Sequence, residues 1–423
     1  MALVANEKKF NLSSFLRSNA VMILFVALSI VCLLASGQNL NKVLGDLTGR
    51  MGRNIFIVLA LIIPVVAGMG INFAITIGAM AAQIACLWTV EWGVSGLPGM
   101  MLAAALTVPL ASFFGFLIGK LMNKMKGQEM IGGLILGYFA NGLYQLLFLF
   151  VFGNLIPLNA PGLVVKGSTG VANTIDLSTD RGFKYALDDV WRMPLLDALY
   201  LAMGIAAAVI ILMIVLKKIK QQRGLVIIGI MAVVTALTFI PPIAAIFDNI
   251  SAPMATFGVV ALLCLFNTAL LKTRLGQNFR AVGQNRTVAN ASGINVDRVR
   301  IIAIMISTVL AGWGQLIFVQ NMGSFQTYGA HEQVGLYAGA AILVGGASIR
   351  KATNSQAILG CILFHLMFIV VPDAGKLLSS DASIGEYLRA FISYGVIALA
   401  LVIHAWSGIQ KKKNPREALS VRR

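Results

Sequence analysis

The stretch RLGQNFRAVGQNRTVANASGINVDRVR, residues 274–300, holds the densest set of groups able to do work in this chain. Arg280 and Arg286 can form charge-assisted hydrogen bonds with acidic groups. Asn285 suits a helix N-cap, because its side-chain oxygen accepts from an early free N–H. Gly293 suits the left-handed residue that ends a helix. Between them RTVANAS predicts a short helix of about two turns. Val288 and Ala291 would share one face of it, and Ala289 and Ser292 an adjoining one. Side chains this small let another protein's surface come close. Gly276 and Gly283 would flank the helix on its upstream side. On residue chemistry alone the stretch reads either as a solvated basic loop or as a docking surface for a soluble partner.

A second set of polar groups lies inside apolar runs: Asn72, Gln83, Asn141, Gln145, Gln315 and Gln320. Such groups are costly at lipid depth unless they meet partners or water. Asn72, Gln83, Asn141 and Gln315 are the candidates for lining a translocation path. Asn72 follows the break Gly68-Met69-Gly70, and broken helices are tolerated where they line protein or a cavity. The simpler reading of Gln83 and Asn141 is a helix–helix hydrogen bond, worth roughly 0.6 kcal/mol.

No covalent chemistry is legible. There is no nucleophile–base arrangement and no intramembrane carboxylate pair. His331, His365 and His404 are scattered without ligand spacing, so no metal site is expected. The four cysteines sit in apolar runs and read as small hydrophobes. Asp188-Asp189 reads as a docking or solvated feature. No G-x-x-x-x-G-K-[ST] occurs, since Leu121 follows Gly119-Lys120. Any ATP and magnesium chemistry must therefore belong to another chain; no cofactor is expected on this one, and no catalytic residue.

The elements that would position these groups are membrane helices. Of 423 residues, 58% are hydrophobic and 12% charged, with a mean hydropathy of +0.85. Ordinary soluble domains carry about 25% charged residues. A bilayer core of ~30 Å needs about 20 apolar residues in a helix. The continuity of the apolar runs argues against the alternation of a barrel. Candidate segments are 20–36, 55–70, 73–90, 99–119, 131–153, 199–216, 224–240, 254–271, 301–319, 334–347, 355–371 and 390–406. Segment 334–347 is short, and 55–90 is too long for one crossing. The net charge of +17 reflects topology rather than nucleic acid. With the N-terminus cytoplasmic, most basic residues fall on inner loops, the positive-inside pattern. Lys42, Arg50 and Arg53 break it on the first outer loop. Both termini and the 272–300 region are then cytoplasmic. The 154–198 loop is extracytoplasmic and long enough to hold short elements that receive a partner. The chain reads as one all-α polytopic membrane domain.

The run LGQNFRAVGQNRTVANASGINVDRVR resembles the cytoplasmic coupling region of bacterial ABC-importer permeases. The similarity is to the branch serving simple sugars, nucleosides and branched-chain amino acids. Lys272-Thr273-Arg274-Leu275-Gly276, Arg280-Ala281-Val282-Gly283-Gln284-Asn285 and Gly293-Ile294-Asn295-Val296 carry it. Arg286 stands where the family often has proline. IMISTVLAGWGQLIFVQNMGSF, the glycines of 339–346, Ile77-Gly78-Ala79 with Gln83, and Glu129-Met130-Ile131 through Asn141 extend it. Met80 stands where the sugar and nucleoside branch has an acidic residue.

The resemblance implies the type II importer permease fold, with about ten crossings of bilayer length plus short half-helices. It also implies a permease in the bacterial cytoplasmic (inner) membrane that works beside a second one, the same chain or a homologue. A separate cytoplasmic ABC ATPase would grip the coupling helix, and an extracytoplasmic solute-binding protein would deliver a small polar solute, a monosaccharide or nucleoside-like compound. By that likeness Gly276, Arg280, Gly283, Asn285, Arg286, Val288, Ala289, Ala291 and Gly293 form the ATPase-coupling face. The competing expectation is an ion-gradient-driven secondary transporter. The near absence of intramembrane acids argues against it, since Glu91, Glu129 and Glu332 fall at segment ends.

Overall fold

The computed structural model describes residues 20–164, 170–217, 221–379 and 383–392, together with 394, 395, 398 and 402. The chain is a helical bundle. Among the described residues, six helices are long and apolar enough to cross a membrane, and up to eight spans result if each of two bent pairs counts as one. These residues supply fewer crossings than the roughly ten expected. Several apolar runs fold as helices too short to cross, and segment 390–406 lies largely outside the described residues.

The first helix is α1 (Ala20–Ser36). Next, α2 (Leu40–Ala60) starts at Asn39, whose side chain accepts from Asn41 N, and runs on into α3 (Ile62–Val66). Lys42, Arg50 and Arg53, expected on a loop, are therefore helical. The cause is amphipathicity. Val43, Thr48 and Gly52 are buried along α2. Val43 clusters with Ile369 and Val370 of α15 (Asn354–Ser379), Gly52 lies against Pro253 and Thr256, and the helix also packs on α13 (Val296–Met322). A reading that looks for continuous apolar runs misses such a helix.

After a break at 67–74 come α4 (Ile75–Glu91), α5 (Gly96–Lys124) and α6 (Glu129–Leu146), the last extended by a π turn, Leu147–Val151. α13 lies at the centre, packed on α4, α5 and α2. The approach of α13 to α4 depends on small residues. A Cβ added at Gly78 would stand 2.2 Å from the Thr308 carbonyl oxygen. On the periphery, α7 (Leu195–Val215) and α8 (Gln221–Leu237) are exposed along most of their length. α8 bends by 92° into α9 (Pro241–Ala244) and the turn that follows it.

α13 also joins the two ends of the bundle. Beyond Met322, Gly323 takes a left-handed conformation and leads to β4 (Ser324–Gln326), which pairs antiparallel with β1 (Thr174–Asp176). Nearby, β2 (Arg192–Pro194) pairs with β3 (Ser251–Pro253). The long 154–198 loop thus does form short elements. Asp188, read with Asp189 as a docking or solvated feature, is buried, accepting from Gln320 Nε2 at 2.9 Å, Asn321 Nδ2 at 2.6 Å and Thr256 Oγ1. It ties the loop to α13 and to α10 (Met254–Leu270). Asp189 instead pairs with Arg192 at the surface.

At the other end of α13, α10 bends by 75° into α11 (Arg274–Gln284), followed by α12 (Arg286–Ala291). Finally, α14 (Val334–Val344) has 11 residues. At 1.5 Å per residue it spans about 16 Å, roughly half a bilayer core.

Candidate functional site

Two breaks in the helical framework bring the interior polar residues together. In the first, Gly68 and Gly70 adopt positive φ, and Asn72 Oδ1 accepts from Ala74 N at 3.1 Å to start α4. Two turns on, α4 places Gln83 in the core. In the second, the chain turns inward after β4 and begins α14 only at Val334. His331, read as an isolated histidine, lies there with 0% exposure. Its Nδ1 is 2.8 Å from Gln83 Oε1, and its Nε2 is 2.7 Å from Asn141 Oδ1. Tyr144 O–H lies 2.8 Å from the same Gln83 oxygen and 3.0 Å from the Thr327 carbonyl. Asn141 Nδ2 donates to Glu332 Oε1 at 3.0 Å. Tyr144 also meets the His331 ring edge-on, centroids 4.6 Å apart.

The donor count within this chain is informative. With both amide oxygens turned to the imidazole, His331 would have to donate from both nitrogens and carry charge, which burial disfavours. Rotating the Gln83 amide by half a turn removes the conflict; amide orientation is set by the network rather than by heavy-atom positions. Gln83 Nε2, otherwise without a partner, then donates to Tyr144 and to His331 Nδ1. Tyr144 donates to Thr327, and His331 Nε2–H donates to Asn141. The result is a neutral relay ending on the Glu332 carboxylate.

Beside this relay lies a narrow cavity of about 40 Å³ bounded by Phe73, Thr76, Tyr138, Asn141, His331 and Glu332. Gln83 and Asn141, two of the four residues proposed for the path, are therefore joined, and Asn141 lines the cavity. Asn72 and Gln315 stand apart from it. Asn72 closes the turn before α4 by accepting from Ala74 N, and Gln315 Nε2 holds the Ala330 carbonyl at 3.4 Å. His331, Tyr144 and Glu332 were missed. The available signal was the pair His331-Glu332 directly before an apolar segment too short to cross.

The second site is the α11–α12 face. Thr273 caps α11, accepting from Gly276 N at 3.2 Å, while Phe279 and Val282 bury its inner side. A single short helix was expected here; the amphipathic α11 precedes it, and Gly276 and Gly283 belong to α11 rather than to a flanking loop. A Cβ on Gly283 would stand 2.1 Å from the Val66 carbonyl oxygen, so α11 crosses α3 at backbone contact. Asn285 caps α12 with bonds from Thr287 N at 3.0 Å and Val288 N at 3.1 Å. Gly293 is left-handed, with φ +80. Ala289 faces inward; Val288, 59% exposed, and Ala291 face out. Arg280 faces an open cleft with Lys272, Arg350 and Lys351.

Arg286 is spent within the chain. It donates to the Gly68 carbonyl at 2.9 Å and to Glu129 Oε1 at 2.6 Å. Arg300, with 0% exposure, reaches the same oxygen at 2.5 Å. Glu129, itself 7% exposed, opens α6 and so anchors two guanidinium groups.

The sequence profile of one family, the branched-chain amino acid transport system permease component, matches residues 182–401. This chain belongs to that family. Relatives include the probable ABC transporter permease protein YphD of Escherichia coli K12, 29% identical over 140 residues, or 33% of this chain and 41% of that protein. The xylose transport system permease protein XylH of Haemophilus influenzae is 28% identical, over 40% of this chain and 41% of its own length. The nucleoside ABC transporter permease protein NupC of Lactococcus lactis is 30% identical, over 40% and 52%. The matches thus span 41–52% of the length of these relatives. No solved structure matches the chain at a significant level. The long apolar helices and the family together make this a multi-pass membrane protein of a permease family.

Proposed function

We propose that this chain is the permease subunit of an ATP-driven importer for a small, hydroxylated solute. It sits in a bacterial inner membrane with the α11–α12 face in the cytoplasm. A second permease, identical or homologous, covers the seam on which the small cavity opens. A cytoplasmic ATPase grips α12, and a solute-binding protein docks at the end bearing the two small sheets.

One observation carries this reading: the α12 face is wired to the interior polar relay through a single rigid element. Arg286 at the start of α12 is held by Glu129 in the first turn of α6. Asn141 and Tyr144 stand 12 and 15 residues further along α6, about 18–23 Å at helical rise. Displacing α12 therefore tilts the helix that carries Asn141. The relay presents amide, imidazole, phenol and carboxylate groups, which suit hydroxyl recognition. Tyr138 and Phe73 supply apolar faces beside them. Relatives named for xylose, ribose and nucleosides transport solutes of that kind.

The test is uptake into vesicles reconstituted with this chain, with and without the ATPase subunits, the binding protein and ATP. Deleting residues 286–292 should leave insertion intact while ATPase binding and ATP-dependent uptake are lost. Uptake that runs on a proton gradient without ATP would overturn the assignment. In that case Glu332 and His331 become the coupling groups.

A further inference from the structure

A second cavity lies across α14 from the polar relay. It measures about 250 Å³ and is enclosed by α2, α13, α14 and α15. Two guanidinium groups, Arg50 and Arg53, line it one helical turn apart on α2. Both belong to a helix apolar enough to span a membrane. Arg50 donates no hydrogen bond to the described residues; its guanidinium carbon stands 5.8 Å from the centroid of Phe368. Arg53 uses one nitrogen, 3.3 Å from Asn321 Oδ1 and 2.9 Å from Met322 Sδ, and lies over Phe318. Neither has a carboxylate within 4 Å among the described residues. Asp46, one turn back from Arg50, is exposed and forms no such pair. A third guanidinium, Arg389, lies over the same Phe368 ring and is paired with Glu386.

Asp46, Glu386 and Asp188 act on the two cations only through space, so neither guanidinium has a carboxylate in contact among the described residues. Cation–π contacts stabilise by roughly 0.5–2 kcal/mol each and leave the charge in place. Charged groups at membrane depth otherwise pair with one another or with a ligand. A second observation points the same way. His365, on the cavity wall and only 5% exposed, has an Nδ1 with no partner. Gln333 is on the same wall, where half a turn of its amide would place Nε2 where its unpartnered Oε1 now stands. Arginine forks match the geometry of carboxylate and phosphate oxygens. The volume falls just below the usual range for small-molecule pockets, about 300–1,000 Å³. It therefore suits a group of a few heavy atoms.

We propose that this cavity is an oxyanion site, taking one phosphate or carboxylate group between Arg50 and Arg53. It goes beyond the transport reading above, because it uses none of the relay residues and faces the other side of α14. The oxyanion could come from a free solute or from the headgroup of an anionic lipid, and two arms separate these sources. In the first, the full-length chain in phosphatidylcholine nanodiscs is titrated with inorganic phosphate and followed by tryptophan fluorescence. In the second, nanodiscs of mixed phosphatidylcholine and phosphatidylglycerol are analysed by native mass spectrometry for retained phosphatidylglycerol. Saturable binding is expected in at least one arm. Arg50→Gln, which gives up no hydrogen bond to the described residues, should weaken it tenfold or more, and Arg50→Lys much less. Phosphate binding identifies a free oxyanion; retention of phosphatidylglycerol alone identifies a lipid headgroup. Lys120→Gln, a cation placed elsewhere on α5, should change nothing. Binding in neither arm, or binding equal in Arg50→Gln and the unaltered chain, overturns the proposal.

Discussion

Replacing Glu129 by Gln should destabilise this protein far more than replacing Arg286, although both break the same ion pair. Glu129 Oε1 accepts from Arg286 at 2.6 Å and from Arg300 at 2.5 Å. Arg300 is fully buried; its Nε and Nη1 have no partner, and its remaining acceptor is the Met122 carbonyl at 3.4 Å. In Glu129→Gln the Arg300 charge stays buried without compensation, a situation that costs about 3–5 kcal/mol. In Arg286→Gln, Glu129 keeps Arg300. The lost group is 31% exposed, so the loss after solvent screening is about 1 kcal/mol or less. At roughly 2 °C per kcal/mol, the figure for large domains, Glu129→Gln should lower the unfolding midpoint by about 6–10 °C. Arg286→Gln should lower it by no more than about 2 °C on the same scale. The double variant should resemble Glu129→Gln, because both guanidinium groups depend on one oxygen and the effects are not additive. Thermal unfolding of purified protein, followed by tryptophan fluorescence, checks this. Equal shifts for the two single variants, or a Glu129→Gln midpoint within 2 °C of the unaltered chain on that scale, would refute the reasoning.

Three further outcomes follow from the geometry. Gly283→Ala forces α11 away from α3, at a cost of about 1–3 kcal/mol for a backbone-limited contact; it should lower the unfolding midpoint and uncouple uptake from ATP hydrolysis. Val288→Asp changes an exposed side chain and should leave stability within about 0.5 kcal/mol, yet abolish co-purification with the ATPase; retained binding would remove α12 from the docking surface. Tyr144→Phe deletes one hydroxyl of the relay, costing about 1 kcal/mol. It should slow solute uptake while leaving basal ATP hydrolysis unchanged, and unaltered uptake would show that the relay is only structural.

How much was legible depended on distance along the chain. The Asn285 cap and the left-handed Gly293 were readable because both are settled by residues within one turn. Gln83 and Asn141 could be singled out as polar groups in apolar runs, but not as neighbours. His331 looked isolated because its partners are 248 and 190 positions away. Arg50 and Arg53 looked like loop residues because α2 buries one face and not the other, a pattern that average hydropathy erases. The sequence marks Arg286 as a group that seeks an acid and Asp188 as a docking or solvated one, but names no partner for either; tertiary contacts supply Glu129 and Gln320.

By itself, the sequence determined that this protein is a helical membrane protein of a permease family with a basic, capped, glycine-marked face. Hydrophobicity, helix capping and backbone conformation are local properties, and each acts through near neighbours in the chain. Only the tertiary structure decided which charges neutralise one another, which polar groups form the relay, and which arginines face a cavity with no carboxylate in contact among the described residues. Those outcomes depend on where two broken helices and the central α13 bring distant side chains together. No local preference encodes that juxtaposition, because the energy of a buried polar group is fixed by what stands within about 3 Å of it in space.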